Sequence, residues 1–185
     1  MKKIAFQTQL FTSVIVMMLF YFTACNSSAA KKEGIPEKDL QTAVITGDVE
    51  AVKQHIAAGS DLNVQDPFGG SSPLITAAVF DQKEIAELLL DAGADINFQN
   101  NEGSTALISA AFFGRPEIVQ LLLDHGADRS IKNKYGTTAY DNVAGSFADM
   151  KEAYDIIGGM MEPMGLKLDY AYLEKIRPEI AKMLK

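Results

Sequence analysis

Cysteine, histidine and positive charge are all scarce in this chain. Its 185 residues include one cysteine, Cys25, and two histidines, His55 and His125. A lone thiol makes no internal disulfide and no cysteine-rich metal site, and two histidines 70 residues apart form no helical ligand pair. Lysine and arginine together number 17 against 24 aspartates and glutamates, a net charge of −7. That balance argues against electrostatic binding to nucleic acid or to an anionic membrane surface. Catalytic signatures are missing as well. There is no glycine-rich nucleotide loop with its lysine, no His-Glu-x-x-His and no Gly-x-Ser-x-Gly. The sequence therefore predicts no catalytic residues, no metal and no cofactor. A hydrophobic content of 48% over this length is enough to bury a core without metal or disulfide staples.

Long apolar runs are also rare, with one exception. Lys2 and Lys3 precede a stretch without charge up to Lys31, and its apolar centre runs from Leu10 to Phe22. A basic start, an apolar middle and small residues at the end are the layout of a secretory signal. The end reads Phe22-Thr23-Ala24-Cys25 and resembles the lipobox of bacterial lipoproteins, with Phe22 where leucine is usual. The resemblance implies a signal peptide over 1–24, diacylglyceryl transfer to the Cys25 sulfur and cleavage before Cys25. Asn26, following the cysteine, implies an outer-membrane destination, facing the periplasm or the cell surface. Two other outcomes fit the same segment: an uncleaved membrane helix, since about 20 apolar residues can span, or ordinary cleavage after Ala30. Loss of 1–24 leaves 15 basic against 24 acidic residues, a charge of −9. Residues 25–34 then read as a lipidated tether of about 15–18 Å.

The rest of the chain repeats. Gly70, Gly103 and Gly136 are spaced 33 and 33, and Gly59, Gly93 and Gly126 are spaced 34 and 33. Ala77-Ala78 and Ala110-Ala111 keep the same period. The one-residue excess falls between Asp61 and Gly70, where Asp66-Pro67-Phe68-Gly69 lengthens a turn. In each unit a glycine turn leads into a short first helix, which Pro73 pre-sets. A second helix carries Ile85 and Leu88-Leu89-Leu90, or Ile118-Val119 and Leu121-Leu122-Leu123. Pro116 suits its first turn, and Gly93 and Gly126 end it. One helix pair cannot bury its own apolar face, whereas stacked pairs share a continuous core.

Gly70-Ser-Ser-Pro-Leu-Ile-Thr-Ala-Ala78 with Leu89-Leu-Asp-Ala-Gly-Ala-Asp-Ile-Asn97 resembles the ankyrin repeat, and so does Gly103-Ser-Thr-Ala-Leu-Ile-Ser-Ala-Ala111 with Leu122-Leu-Asp-His-Gly-Ala-Asp128. A capping unit at Leu40 to Asn63 and a fourth beginning at Gly136-Thr-Thr-Ala139 extend the resemblance to residues 36–160. It implies an all-α solenoid of about four units with turn or hairpin fingers, over 35–160, with caps at both ends. The family's first-helix histidine is Ile75 and Ile108 here, which predicts turns held by packing and somewhat looser for it. Beyond the repeats, Leu173, Ile176, Ile180 and Leu184 make one helical stripe, with Pro178 starting or kinking the last helix. Residues 161–185 then read as a helical cap, or as a docking helix for a partner.

The remaining functional feature is surface. The ankyrin resemblance implies a protein partner met by the turn tips and the concave face of the first helices. On that placement Val79, Phe80, Phe112 and Phe113 line the concave face, while Phe68, Asn101, Glu102, Lys134 and Tyr135 lie at the tips. Aromatics there offer large contact area at low entropy cost. His55 is expected near the cap surface in a structural or solvent-facing role, and His125 beside its helix end, where a cation favours the dipole. The expected activity is protein binding by an otherwise monomeric envelope lipoprotein. The alternatives are an inhibitor or immunity protein acting on an envelope enzyme or toxin and, in another class, a lipoprotein enzyme.

Overall fold

The computed structural model describes residues 36–185. The signal segment, Cys25 and the tether lie outside them. The described residues form nine α-helices and one 3-10 turn, with no strand. We number the helices α1 Leu40–Ile45, α2 Val49–Ala57, α3 Pro73–Val79, α4 Lys83–Asp91, α5 Ala106–Phe112, α6 Pro116–Asp124, α7 Asp141–Ala144, α8 Phe147–Met161 and α9 Tyr170–Met183.

All but α8 and α9 have nine residues or fewer and are too short to stand alone, since isolated helices under about 12–15 residues are marginal in water. Local chemistry sets where they start. Ser72 and Thr105 cap α3 and α5 by accepting from the N–H groups of Ile75 and Ile108, and Pro73 and Pro116 occupy first-turn positions. Asp39 and Asp48 cap α1 and α2 in the same way. Packing then supplies the stability. Leu89 and Leu122, one period apart on the second helices, are fully enclosed, as are Ala77, Ala78, Ala110 and Ala111 on the first. Truncating either leucine to alanine would cost about 2–5 kcal/mol.

The helices stack as two rows. The inner row runs α1, α3, α5, α7, each packed on the next, and the outer row runs α2, α4, α6 and then α9. The last step places the end of the chain differently from the sequence expectation. Residues 161–185 are not simply a lid on a finished array, because α9 takes the outer position of the fourth unit against α6 and α7. Ile180, Ala181 and Leu184 enter the main core there, and α9 runs through Pro178 rather than starting at it. Helix α8 belongs to neither row; it is an excursion between the inner and outer helices of that unit.

The finger turns are fixed by polar groups, not by packing alone. Asp66, Asn100 and Asn133 occupy equivalent positions. The Asp66 carboxylate accepts from the backbone N–H groups of Phe68, Gly69 and Ser71, the single amide oxygen of Asn100 from those of Glu102 and Ser104, and that of Asn133 from those of Tyr135 and Thr137. The expected looseness from the missing histidine is therefore compensated from within each turn. The extra residue sits where the period placed it. The first finger closes from Asp66 to Ser71, whereas the others close from Asn100 to Ser104 and from Asn133 to Thr137.

Candidate functional site

Backbone bonds from finger to finger align the tips. Asn101 N–H donates to the Gly69 carbonyl at 3.0 Å, and Lys134 N–H donates to the Glu102 carbonyl at 2.9 Å. At the base of the fingers, Asp95 N–H donates to the Asn63 side chain and Asp128 N–H to that of Asn97, both over one period. The close stacking demands glycine at Gly103. Its φ is +72°, and an added Cβ would lie 3.2 Å from the Asn133 backbone.

The result is a rigid row whose side chains point to solvent. Phe68, on the lengthened first finger, is 90% exposed, and Tyr135 on the third is 75% exposed. Between them stand exposed Asn101 and Glu102, with exposed Lys134 beside Tyr135. The Tyr135 hydroxyl donates to Glu102 Oε2 at 3.0 Å, and that bond to a carboxylate pushes the phenol's pKa up. Two aromatics separated by acidic, amide and basic groups can offer a partner both apolar anchors and directional contacts.

The concave-face expectation is corrected. Val79, Phe112 and Phe113 are buried, the two phenylalanines at 9% and 7% exposure, and Phe80 is half-buried against them. The cover is the chain's own α8 and α9. Tyr154 packs on Phe112 with ring centroids 4.5 Å apart, and Phe112 meets Phe113 edge-on at 5.1 Å. The inner helices α3 and α5 are buried over their whole length, so no open concave wall remains along them. The nine residues singled out from sequence thus divide into two groups at opposite ends of the inner helices. Five stand at the exposed finger tips and four lie under α8 and α9.

The histidines are structural. His55 is buried, not solvent-facing: its Nε2–H donates to the Lys38 carbonyl at 2.8 Å, and its Nδ1 lies 3.0 Å from the Ser60 hydroxyl. His125 donates from Nδ1 to the Leu121 carbonyl, with Nε2 3.7 Å from Asp91. Glu84 and Glu87 lie on an exposed helix face. Among the described residues no three His, Cys, Asp or Glu side chains converge as a metal site would require, and no helix is long and apolar enough to cross a membrane.

Some contributors escaped sequence reasoning. Asp66, Asn100 and Asn133 carry a usable signal, because Asp and Asn at one period ahead of glycine turns mark side-chain-closed loops. Gln41 has no such signal. Its amide donates to the carbonyls of Val64 and Ser71 and accepts from the Thr76 hydroxyl, binding the first finger to the inner row. Tyr154 and Arg177, which meet at the contact of α8 with α9, are equally unmarked in the sequence.

Helix pairs in two rows, joined by stacked polar fingers, define a helical solenoid with an exposed row of finger tips. The family model for ankyrin repeats, in three copies, matches residues 40–133, half of the chain. This chain belongs to the ankyrin-repeat family. It is also similar to the 2-5A-dependent ribonuclease of Homo sapiens, with 34% identity over 78 residues, 42% of this chain. The matched part is 10% of that protein's length.

Proposed function

We propose that this protein is an envelope lipoprotein that binds another protein through its row of finger tips and carries out no catalysis. The observation that carries the reading is the pair of exposed aromatics, Phe68 and Tyr135, held on fingers that hydrogen bonds lock in line. Exposed aromatics on rigid turns lose little freedom on binding, which is the property of an interface anchor. The family supports a protein as the partner, because ankyrin stacks typically bind proteins. The lipobox-like Phe22-Thr23-Ala24-Cys25 supports the anchor. With two or three acyl chains at about 0.8 kcal/mol per buried CH₂, attachment would be effectively permanent.

Site-specific photo-crosslinking in cells tests the interface. A crosslinker in place of Phe68 or Tyr135 should capture one dominant partner, and the same group in place of Asp91, on an outer helix, should not. Phe68→Ser with Tyr135→Ser should abolish co-purification of that partner while leaving the helical signal unchanged. Equal capture from all three positions, or none, overturns the reading. Membrane fractionation tests the anchor: Cys25→Ser should release the protein from the membrane pellet, and the mass of the mature N-terminal peptide should show an acylated Cys25.

A further inference from the structure

The site under α8 is a formed groove with a helix already in it. Its floor comes from the ends of two inner helices, Val79, Phe80, Phe112 and Phe113, with Leu173 of α9 beside them. Helix α8 fills it with Phe147, Met150, Tyr154, Ile157 and Met161, which recur at intervals of 3, 4, 3 and 4 residues. That spacing puts all five on one side of a helix, the arrangement by which an amphipathic helix lies in an apolar groove. At the centre, the Tyr154 hydroxyl donates to the Phe112 carbonyl at 2.8 Å and accepts from Arg177 at 2.9 Å.

Several features weaken the hold of α8 on this groove. Gly158 and Gly159 lie within the helix, and glycine is the poorest helix former after proline. Arg177, 1% exposed, has no carboxylate partner among the described residues; it donates to Tyr154 and to the Gly145 carbonyl, and its Nε has no hydrogen-bond partner. A guanidinium buried in that way is a poor fastening. The outer side of the same helix leaves Ile156 and Met160 exposed, so only one apolar face gains from docking. Because α8 lies outside both helical rows, its departure would leave the stacking of the rows in place.

We propose that α8 is a displaceable strap, and that the groove beneath it accepts an amphipathic helix of a partner protein with the same apolar spacing and a tyrosine at its centre. The strap is itself the template for that occupant. Its length, its five apolar positions and its central hydroxyl show what the groove accepts. The inference rests on the protein-binding reading above but uses a different surface. Bound in place, α8 acts as an intramolecular competitor at the high effective concentration of a tethered segment, so partner affinity depends on how readily it lifts.

The test uses the full chain and a fluorescein-labelled peptide of residues 146–162 with Gly159 replaced by alanine, read by anisotropy. The wild-type protein should bind it weakly. Gly159→Ala in the protein should strengthen the strap, since the new Cβ meets no atom within 4 Å, and should weaken peptide binding about fivefold. Tyr154→Ala in the protein should loosen the strap and tighten peptide binding at least tenfold. A peptide with phenylalanine at its central tyrosine should bind less well than its parent. Equal affinity for all three proteins, or tight binding only where circular dichroism shows lost repeat structure, overturns the strap. So does a dimer formed by exchange of α8 between two copies, seen by size-exclusion chromatography, because the groove would then serve self-association. Phe68→Ser with Tyr135→Ser should leave peptide affinity unchanged, which separates failure of the strap from failure of the finger-tip interface.

Discussion

Three equivalent positions, Gly47, Asp81 and Gly114, end the inner helices with left-handed backbone at φ of 68°, 61° and 68°. Aspartate tolerates this conformation better than most residues, and Asp81 also lies 3.5 Å from Arg115. Asp81→Ala is therefore expected to cost about 1 kcal/mol in denaturant unfolding. Gly114→Ala should cost more, about 2–4 kcal/mol, because its Cβ would also fall 2.8 Å from Leu173 Cδ2 of α9. A Gly114→Ala cost no larger than that of Asp81→Ala would mean that α9 is not packed as described. Asp66 offers a second residue-level prediction. Burial raises its pKa, but the N–H groups of Gly69, Phe68 and Ser71 outweigh that and lower it on balance. A carboxyl with a depressed folded pKa contributes stability that is present above its unfolded value of about 4 and is lost as pH falls through the folded one. Asp66→Ala should cost about 1–2 kcal/mol at neutral pH, and the difference from wild type should shrink below about pH 4.

At the scale of elements, the polar clip between α8, α9 and α5 gives contrasting expectations. Tyr154→Phe removes the donor to the Phe112 carbonyl and the acceptor for Arg177, leaving both buried; about 1–3 kcal/mol of destabilisation should follow. Arg177→Met removes a guanidinium that burial disfavours and should change stability by less than about 1 kcal/mol. Urea titrations of the two variants check this, and equal losses would contradict it. The same region marks where the sequence stopped being legible. Helix pairs, finger lengths and caps follow from a period that glycine, proline and alanine declare locally, so the first three units could be read directly. Where α8 and α9 go could not be read that way. An apolar stripe says that a helix is covered but not by what, and Phe112-Phe113 would look the same on an open face as under a strap. The exposure of five of the nine singled-out residues was legible because turn tips are exposed by construction, while the burial of the other four depended on the route of a distant segment.

Across the whole molecule, lowered carboxyl pKa values concentrate where aspartates hold backbone or hydroxyl groups. Thr42 lowers Asp39, Ser130 lowers Asp128 and Thr138 lowers Asp141, through hydrogen bonds to each carboxylate. Each bond favours the ionised form, so thermal stability should be flat near neutrality and decline below about pH 4, as these groups protonate. A melting temperature that rose between pH 5 and pH 3 would refute this assignment. Local stability should be uneven as well. Amide hydrogen exchange should be fastest along α8, away from the rows, and slowest in α3 and α5, whose residues are all buried.

The route of α9 also sets an order in time. In the second and third units three residues separate the inner helix from the outer, whereas 25 residues lie between α7 and α9. By the loop-length rule that longer closure costs about 2 kcal/mol more entropy. The central pairs can meet early and offer a template, and the fourth is completed only when a distant segment returns. Folding of this solenoid should therefore start in its middle and close last at its carboxyl-terminal unit.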